Sequence, residues 1–486
     1  VCWGEIEGND LDTLIGARVT KVPVMNPCEH KTRIYQVVKL PPFVDAAECG
    51  VYQACWRNEL ASLTKRHLIT EGEPQRENLM RCRNLVFELF SHLNVGPMKT
   101  PEEVIKHKGT PAGRRRYQQA FDNVRTLGWR AGISRVSAFV KIEKWDTKSL
   151  GVKAPRLIQF RCYEYCALIS QYLLAIEEVL WKYETKGIPV FAKNMNSFKV
   201  AETIIQMGDD FSDPVYVLAD HSKFDSCITI PWIWLEKEAY LSVFKCELFS
   251  ELLDHQFRNK CYTKNGIRYE CDGRKMSGEY NTSLGGCLIN YAVLSDVFRS
   301  VRHRLLINGD DSVICIERKD LAKLDLSPDV WKAYGFKTGW EVVDEIEKVS
   351  FCQAQPVQLE EGKWRMVREP RRAIGRSTVS VKRYECQGWA RLVASIGTSE
   401  MACCDGVPML QAWAEALLRS SKGAKVIANE VSRRARLEAF LAPRSRVISD
   451  ISRISFEKAF DISPGEQEIF EEWCYQSNMD ILPLLP

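Results

Sequence analysis

Two short stretches concentrate carboxylates where a folded backbone can bring them together. Asp220 and Asp225 close the ends of A-D-H-S-K-F-D, and the tripeptide Gly309-Asp310-Asp311 follows about 90 residues later. Carboxylates held side by side repel one another and raise each other's pKa. A pair of divalent cations resolves the conflict. Hard oxygen ligands suit Mg²⁺, and two ions about 3.5–4 Å apart can activate a 3′-hydroxyl and stabilise a leaving pyrophosphate in an in-line displacement. On this reading Asp220 and Asp310 are the principal ligands. Each motif alone also fits an ordinary turn. Their order, their strand contexts and the Ser277-Gly278 loop with Thr282 between them set them apart from chance.

The elements that must position these groups can be read from hydrophobic pattern. Val215 to Ala219 is a short apolar, β-rich run, expected as a buried strand that stops at Asp220. Leu305 to Asn308 and Ser312 to Ile316 are two β-rich runs flanking Gly309-Asp310-Asp311, which predicts a hairpin with the acidic pair at its tip. Between them, Arg274 to Gly278 reads as a loop and Asn281 to Val301 as a helix with Leu284, Leu288, Tyr291 and Leu294 on one face. Helices are also expected at Glu59 to His67, Asn78 to Leu93 and Pro101 to Lys106, and near the end at Gly406 to Ser420 and Lys425 to Phe440, giving a helical third lobe.

Composition bounds the rest. With 486 residues, 45% hydrophobic and 27% charged, and no low-complexity tract or repeat, the chain reads as a multi-lobed globular enzyme rather than a disordered or solenoid protein. A net charge of +4 argues for nothing by itself; the placement of cations does. They cluster at Arg114 to Arg116, Lys141 to Arg161, Arg371 to Arg376 and Arg433 to Arg446, and each cluster suits a solvated face as well as a ligand. The 18 cysteines form no C-x-x-C pair, which fits a reducing compartment. Cys28 with His30, and Cys162 with Cys166, have metal-like spacing, but no second matched pair follows, so structural thiols are expected there. No run of about 18 apolar residues exists to span a bilayer. The chain opens at Val1 rather than Met, which suggests a fragment or a piece of a longer product, so an upstream anchor could be missing.

Taken together, A-D-H-S-K-F-D, M-S-G-E-Y-N-T-S-L-G-G and N-G-D-D resemble motifs A, B and C of positive-strand RNA virus polymerases, with wording close to the tombusvirus-like enzymes. F-V-K-I-E-K-W from Phe139 and A-P-R-L-I-Q-F-R from Ala154 resemble the basic motif F of that family. Y-G-F-K at Tyr334 resembles motif D, and V-S-F-C-Q-A-Q-P-V at Val349 motif E. Counterparts at Gly109, Gly187, Lys363 and Gly406 extend the likeness over roughly residues 50 to 420. The resemblance implies an α+β right-hand polymerase with fingers, an antiparallel-sheet palm and a helical thumb. The expected divisions are fingers over 1–170 and 230–268, palm over 171–229 and 269–354, and thumb over 355–486. It implies that Asp220, Asp310 and Asp311 are catalytic and hold two Mg²⁺ ions, which Mn²⁺ can replace. Asp225, Ser277, Thr282 and Asn281 would recognise the ribose, and Lys141, Lys144, Arg156 and Arg161 the triphosphate. Gly278 would let its loop flex against the template, Phe351, Cys352 and Gln353 would grip template and primer, and Lys337 would be the motif D lysine.

The implied partners are an RNA template, nascent RNA and NTPs. Other viral replication proteins and host membrane are expected to attach through a segment outside this sequence, in membrane-associated complexes of the host cytoplasm. Two departures stand out. Gly286 occupies the place of a family Asn that orients the second motif A aspartate, and Asn194 that of a family glycine. The rival readings are a reverse transcriptase, which normally carries an aromatic residue or Met where Gly309 stands, and an inactive RNA-binding replication protein of the same fold.

Overall fold

The computed structural model describes residues 1–4, 9–23, 28, 30–42, 44–46 and 48–485, a mixed α+β chain. At its centre lies a four-stranded antiparallel sheet in the order His303–Asn308, Asp311–Glu317, Pro214–His221 and Thr338–Val343. The two inner strands are apolar at every position from Val215 to Ala219 and Val313 to Ile316 because both faces of the sheet are covered. Val215, Val217, Ile314 and Ile316 pack on one side against the helices Arg76–Ser91, Tyr163–Leu180, Ile230–Val243 and Thr282–Val297. Tyr216, Leu218, Val313 and Cys315 alternate to the other side, onto Ala201, Ile204 and Met207 of the helix Ser197–Asp209. Each fully buried aliphatic side chain here contributes about 1.5–3 kcal/mol.

A second, five-stranded sheet runs Ala17–Lys21, Arg268–Asp272, Arg258–Thr263, Val136–Val140 and Leu157–Phe160, with one parallel pairing between its third and fourth strands. The C-terminal part joins the hairpin Ala354–Glu360 and Lys363–Arg368 to the helices Gly388–Cys404, Leu410–Ser420, Asp450–Phe460 and Pro464–Gln476.

Several expectations need revising. The strand at Val215 runs on through Asp220 to His221, because Thr338 and Gly339 pair with those two residues. The Thr282–Val297 helix is buried nearly all round rather than along one stripe, since it threads between the sheet and other helices. The helix expected from Gly406 begins at Leu410, because Gly406 (φ 80°) and Met409 (φ 60°) turn the chain around Pro408. Within 425–440 only Arg433–Glu438 is α-helical, with 3₁₀ turns at Ala428–Glu430 and Ala439–Leu441. One segment within 1–170 reaches the C-terminal part. Tyr35–Gln36 pairs with Val379–Ser380, and Val37 and Val38 pack beside Val357, Val367 and Ile374 of the C-terminal part.

Candidate active site

The register of the central sheet places the carboxylates. Ala219 pairs with Ser312, so Asp220 and Asp311, one step further, lie beside each other on adjacent strands. The hairpin closes at Asn308 and Asp311, leaving Gly309 and Asp310 as a two-residue turn; Gly309 takes φ 69°, a left-handed conformation that only glycine adopts without strain. Asp225 comes from the 3₁₀ turn Phe224–Cys227 that follows the strand, and its carbonyl accepts from Lys275 N at 2.8 Å.

These side chains reach water, but from the floor of a recess. Asp220, Asp225 and Asp310 line a cavity of about 700 Å³. Lost hydration lifts the Asp310 carboxyl above its ordinary range, and the neighbouring Asp220 adds to it. Burial, with Asp310 close by, pushes Asp225 up to about 7, although Lys275 and Arg66 pull the other way. Asp311 is pushed up to about 6 by burial and then by Asp310, with the Cys352 thiol bonded to it. Among the described residues no Lys or Arg forms a salt bridge with any of these four carboxylates. Carboxylate oxygens gathered in a recess without a salt-bridge partner are a donor set that fits hard divalent cations.

The cavity also has a basic lining. Lys65, Arg66, Lys141, Lys153 and Arg156 line it. Arg156 holds Glu143 with both arms of its fork, at 2.7 and 2.5 Å, and Lys141 shares that carboxylate at 3.3 Å. Arg66 lies close enough to feel Asp225 and Asp310. Neither Lys65 nor Arg66 was singled out from the sequence, although K-R-H at 65–67 is itself a basic run closing a helix.

Two of the expected phosphate ligands face elsewhere. Arg161 is 3% exposed, and its guanidinium is consumed by Glu279, the Ser134 carbonyl and Asn259, behind the loop rather than in the cavity. Lys144 donates to the Arg376 carbonyl at 2.5 Å and is tied to the C-terminal part. Both corrections have one cause. Alternate residues of an extended basic stretch point to opposite sides, and only tertiary contacts tell which side is open.

The expected ribose set also divides. Ser277 lines the cavity with Asp225; its hydroxyl donates to Leu157 O at 2.9 Å and accepts from Gln159 N at 3.1 Å. Thr282 instead donates to the Met276 and Glu279 carbonyls and closes the loop. Asn281 is fully buried and exchanges two hydrogen bonds of 3.1 Å with Gln256. At Gly278 a Cβ would stand 2.9 Å from Gln159 O and 3.0 Å from Phe160 Cβ, so glycine allows close packing there. Lys337 is exposed just before the outer strand, its carbonyl accepting from Ser222 N at 2.8 Å, and lies outside the cavity wall.

Phe351 and Ala354 bridge each other around a turn formed by Cys352 and Gln353. Phe351 is buried in the core, whereas the Cys352 carbonyl accepts from Arg434 at 2.5 Å and its sulfur from Asn308 at 3.3 Å. Phe351 and Cys352 thus line a smaller cavity, about 260 Å³, that also borders Asn308 and carries Lys193, Arg368 and Arg434.

A support beneath the acidic turn had no signature in the sequence. Asn290, on the buried helix, donates to the Gly309 carbonyl at 3.0 Å and the Asp310 carbonyl at 3.3 Å. Its Oδ1 faces His221 Nε2 at 3.0 Å, and His221 Nδ1 faces Thr338 Oγ1 at 2.7 Å. Burial keeps this imidazole neutral, its pKa pushed down to about 4. With Asn290 already donating to the turn, Nε2 carries the proton and Nδ1 accepts from Thr338.

An α+β chain that gathers four carboxylates at one end of an antiparallel sheet, beside a cavity that basic side chains also line, has the form of a nucleic acid polymerase. The chain belongs to the viral RNA-dependent RNA polymerase family, whose profile matches residues 22–481. It is 28% identical to the RNA-directed RNA polymerase of Groundnut rosette virus, over 90% of this chain and 53% of that one. Against the Melon necrotic spot virus enzyme the identity is 32%, over 76% of this chain and 50% of the other. The Turnip crinkle virus enzyme matches at 29%, over 79% and 51%. The chain spans about half the length of the curated relatives it matches.

Proposed function

We propose that this chain is the catalytic part of a viral RNA-dependent RNA polymerase that copies an RNA template from NTPs by two-metal nucleotidyl transfer, in genome replication and transcription. The observation that carries the reading is the convergence of Asp220, Asp225 and Asp310 on one cavity that Lys141, Lys153 and Arg156 also line. The proposed architecture is a right hand. Its palm is the four-stranded sheet with its helices, the fingers are built on the five-stranded sheet, and the thumb is the helical part from about residue 355, joined by Tyr35–Val38.

Asp220 and Asp310 would hold the metals, with Asp311 beside them on the hairpin. When bound, two Mg²⁺ ions, or Mn²⁺ in their place, supply Lewis-acid stabilisation of the attacking and leaving oxygens. The protein's own groups do the rest. Arg156, its fork already oriented by Glu143, and Lys141 bind the triphosphate and neutralise its charge. Asp225 and Ser277, which line the same cavity, would hydrogen-bond a ribose hydroxyl and so favour NTPs over dNTPs. The Cys352 turn and the arginines around it suit the sugar-phosphate backbone of the nascent strand.

The proposed setting is a replication complex on host cytoplasmic membranes, with other viral replication proteins and the membrane reached through a segment outside this sequence. Among the described residues no helix is long and apolar enough to cross a membrane. The deciding experiment supplies a defined RNA, primed and unprimed, with labelled NTPs and Mg²⁺ or Mn²⁺. Template-length RNA from the parent chain and none from Asp310→Asn is the expected result. Absence of synthesis under every combination, or undiminished synthesis by Asp310→Asn, would sink the reading.

A further inference from the structure

Outside the carboxylate cluster, three thiols converge near the start of the chain. The sulfurs of Cys2, Cys28 and Cys55 all lie within 4.8 Å of one another, and Cys2 Sγ stands 3.6 Å from Cys55 Sγ. That separation is far beyond a disulfide bond of about 2.05 Å. It is close to the edge of a tetrahedron of sulfurs around zinc, about 3.8 Å for Zn–S bonds of about 2.3 Å. His30, two residues after Cys28 in sequence, lies at the edge of this group, its Nδ1 4.0 Å from Cys2 Sγ. We infer that Cys2, Cys28, Cys55 and His30 form a structural zinc site that clasps three separate segments of the chain.

The surrounding backbone is already arranged to hold the ligands together. Gln53 N donates to Val1 O at 2.9 Å, Trp3 N to Asn58 Oδ1 at 2.8 Å, and Asn58 Nδ2 to Val1 O at 2.9 Å, so the Cys2 and Cys55 segments are laced to each other. Thr32 and Gln53 exchange bonds of 2.8 and 2.7 Å, which ties in the segment that follows His30. Cys55 is buried, whereas Cys2 and Cys28 are half-buried, leaving an entry path for the ion. Three thiolates and an imidazole select zinc over the hard cations that suit the aspartates. The spacing hid the site because the partners of Cys28 and His30 come from distant positions, not from a second matched pair.

The clasp has a purpose in this fold. Cys55 is the N-cap of the helix Trp56–Ser62, which runs on as Leu63–His67 and delivers Lys65 and Arg66 to the cavity that Trp3 also lines. A fixed helix start fixes where those cations arrive.

The test measures metal on the full chain, purified in reducing, chelator-free buffer and analysed by elemental mass spectrometry. About one zinc per chain is expected, retained in Cys474→Ser, whose thiol is buried elsewhere, and lost in Cys28→Ser and in Cys2→Ser. Cobalt loaded in place of zinc should give thiolate-to-metal charge-transfer absorption and tetrahedral d–d bands, and His30→Ala should shift the d–d bands while keeping the charge transfer. Metal-free protein that takes up no cobalt, zinc that persists in the Cys2→Ser, Cys28→Ser double variant, or a Cys2–Cys55 disulfide in the reduced preparation would each overturn the site. Because the readout is metal content, none of these outcomes depends on polymerase activity.

Discussion

Asn290 Nδ2 donates to the Gly309 carbonyl, so the turn that carries Asp310 is held from the buried helix beneath it. The same amide is oriented by His221, which is in turn held by Thr338 on the outer strand. Replacing Asn290 with Leu removes both donors and leaves two carbonyls and an imidazole poorly paired, at a cost of about 1–3 kcal/mol. Asn290→Leu is expected to lower the denaturation midpoint and to reduce kcat more than it raises KM for NTP. An unchanged kcat in the variant would mean that the turn needs no support.

Asp310→Asn keeps the shape of the side chain but loses an anionic ligand and relieves repulsion with Asp220. Polymerisation should fall to near background. In EDTA the variant should be at least as stable as the parent, while the stabilisation that Mg²⁺ gives the parent should be largely absent. Asp311→Ala should retain more activity than Asp310→Ala. Thermal melts with and without Mg²⁺, set beside incorporation assays, read both effects.

Arg161 and Arg156 stand five residues apart and should fail in different ways. Arg161→Met strips the partner from buried Glu279 and should destabilise the fold by about 3–5 kcal/mol. Arg156→Met, at the cavity wall, should leave the denaturation midpoint within about 0.5 kcal/mol and raise KM for NTP instead. The reverse pattern would return Arg161 to the substrate channel.

The half-buried His67 ring, which accepts from Leu157 N at 2.9 Å, has its pKa pushed down to about 3 by lost hydration and by the Arg66 and Arg156 cations. In the unfolded chain it titrates near its ordinary value of about 6.5, so below that pH the unfolded state binds the extra proton and stability is lost as pH falls. The loss from this one group is about 2 kcal/mol between pH 7 and pH 5. His67→Gln keeps an acceptor without titrating. Denaturant melts at the two pH values should show the parent losing that much more than the variant; equal losses would mean that His67 is protonated in the fold.

At Gly286 a Cβ would meet Phe224 and Gly309 at 3.6 and 3.7 Å, ordinary contact distances, so a side chain can begin there. An Asn amide beside Phe224 could restrain the turn that carries Asp225. Gly286→Asn is expected to raise the preference for NTP over dNTP by about two- to tenfold, the worth of one buried polar contact. Matched incorporation efficiencies check it. An unchanged ratio at undiminished activity would separate Gly286 from sugar choice.

What the sequence alone determined is what local pattern controls. A β-rich run before Asp220, two more around Gly309-Asp310-Asp311, and a glycine where the turn needs a left-handed residue were all legible, because strand periodicity and turn chemistry act over a few residues. The family likeness was legible for the same reason, since its motifs are short and ordered. Tertiary structure decided which cations face the cavity. Lys141 and Arg156 do, Arg161 and Lys144 do not, and Arg66 arrives from a helix far off in sequence. It also decided that Asn290 and His221 brace the acidic turn and that Cys2, Cys28 and Cys55 meet. Those outcomes depend on contacts between distant segments, where side-chain direction is set by whichever neighbour fills the space or satisfies the charge, and no local pattern records it.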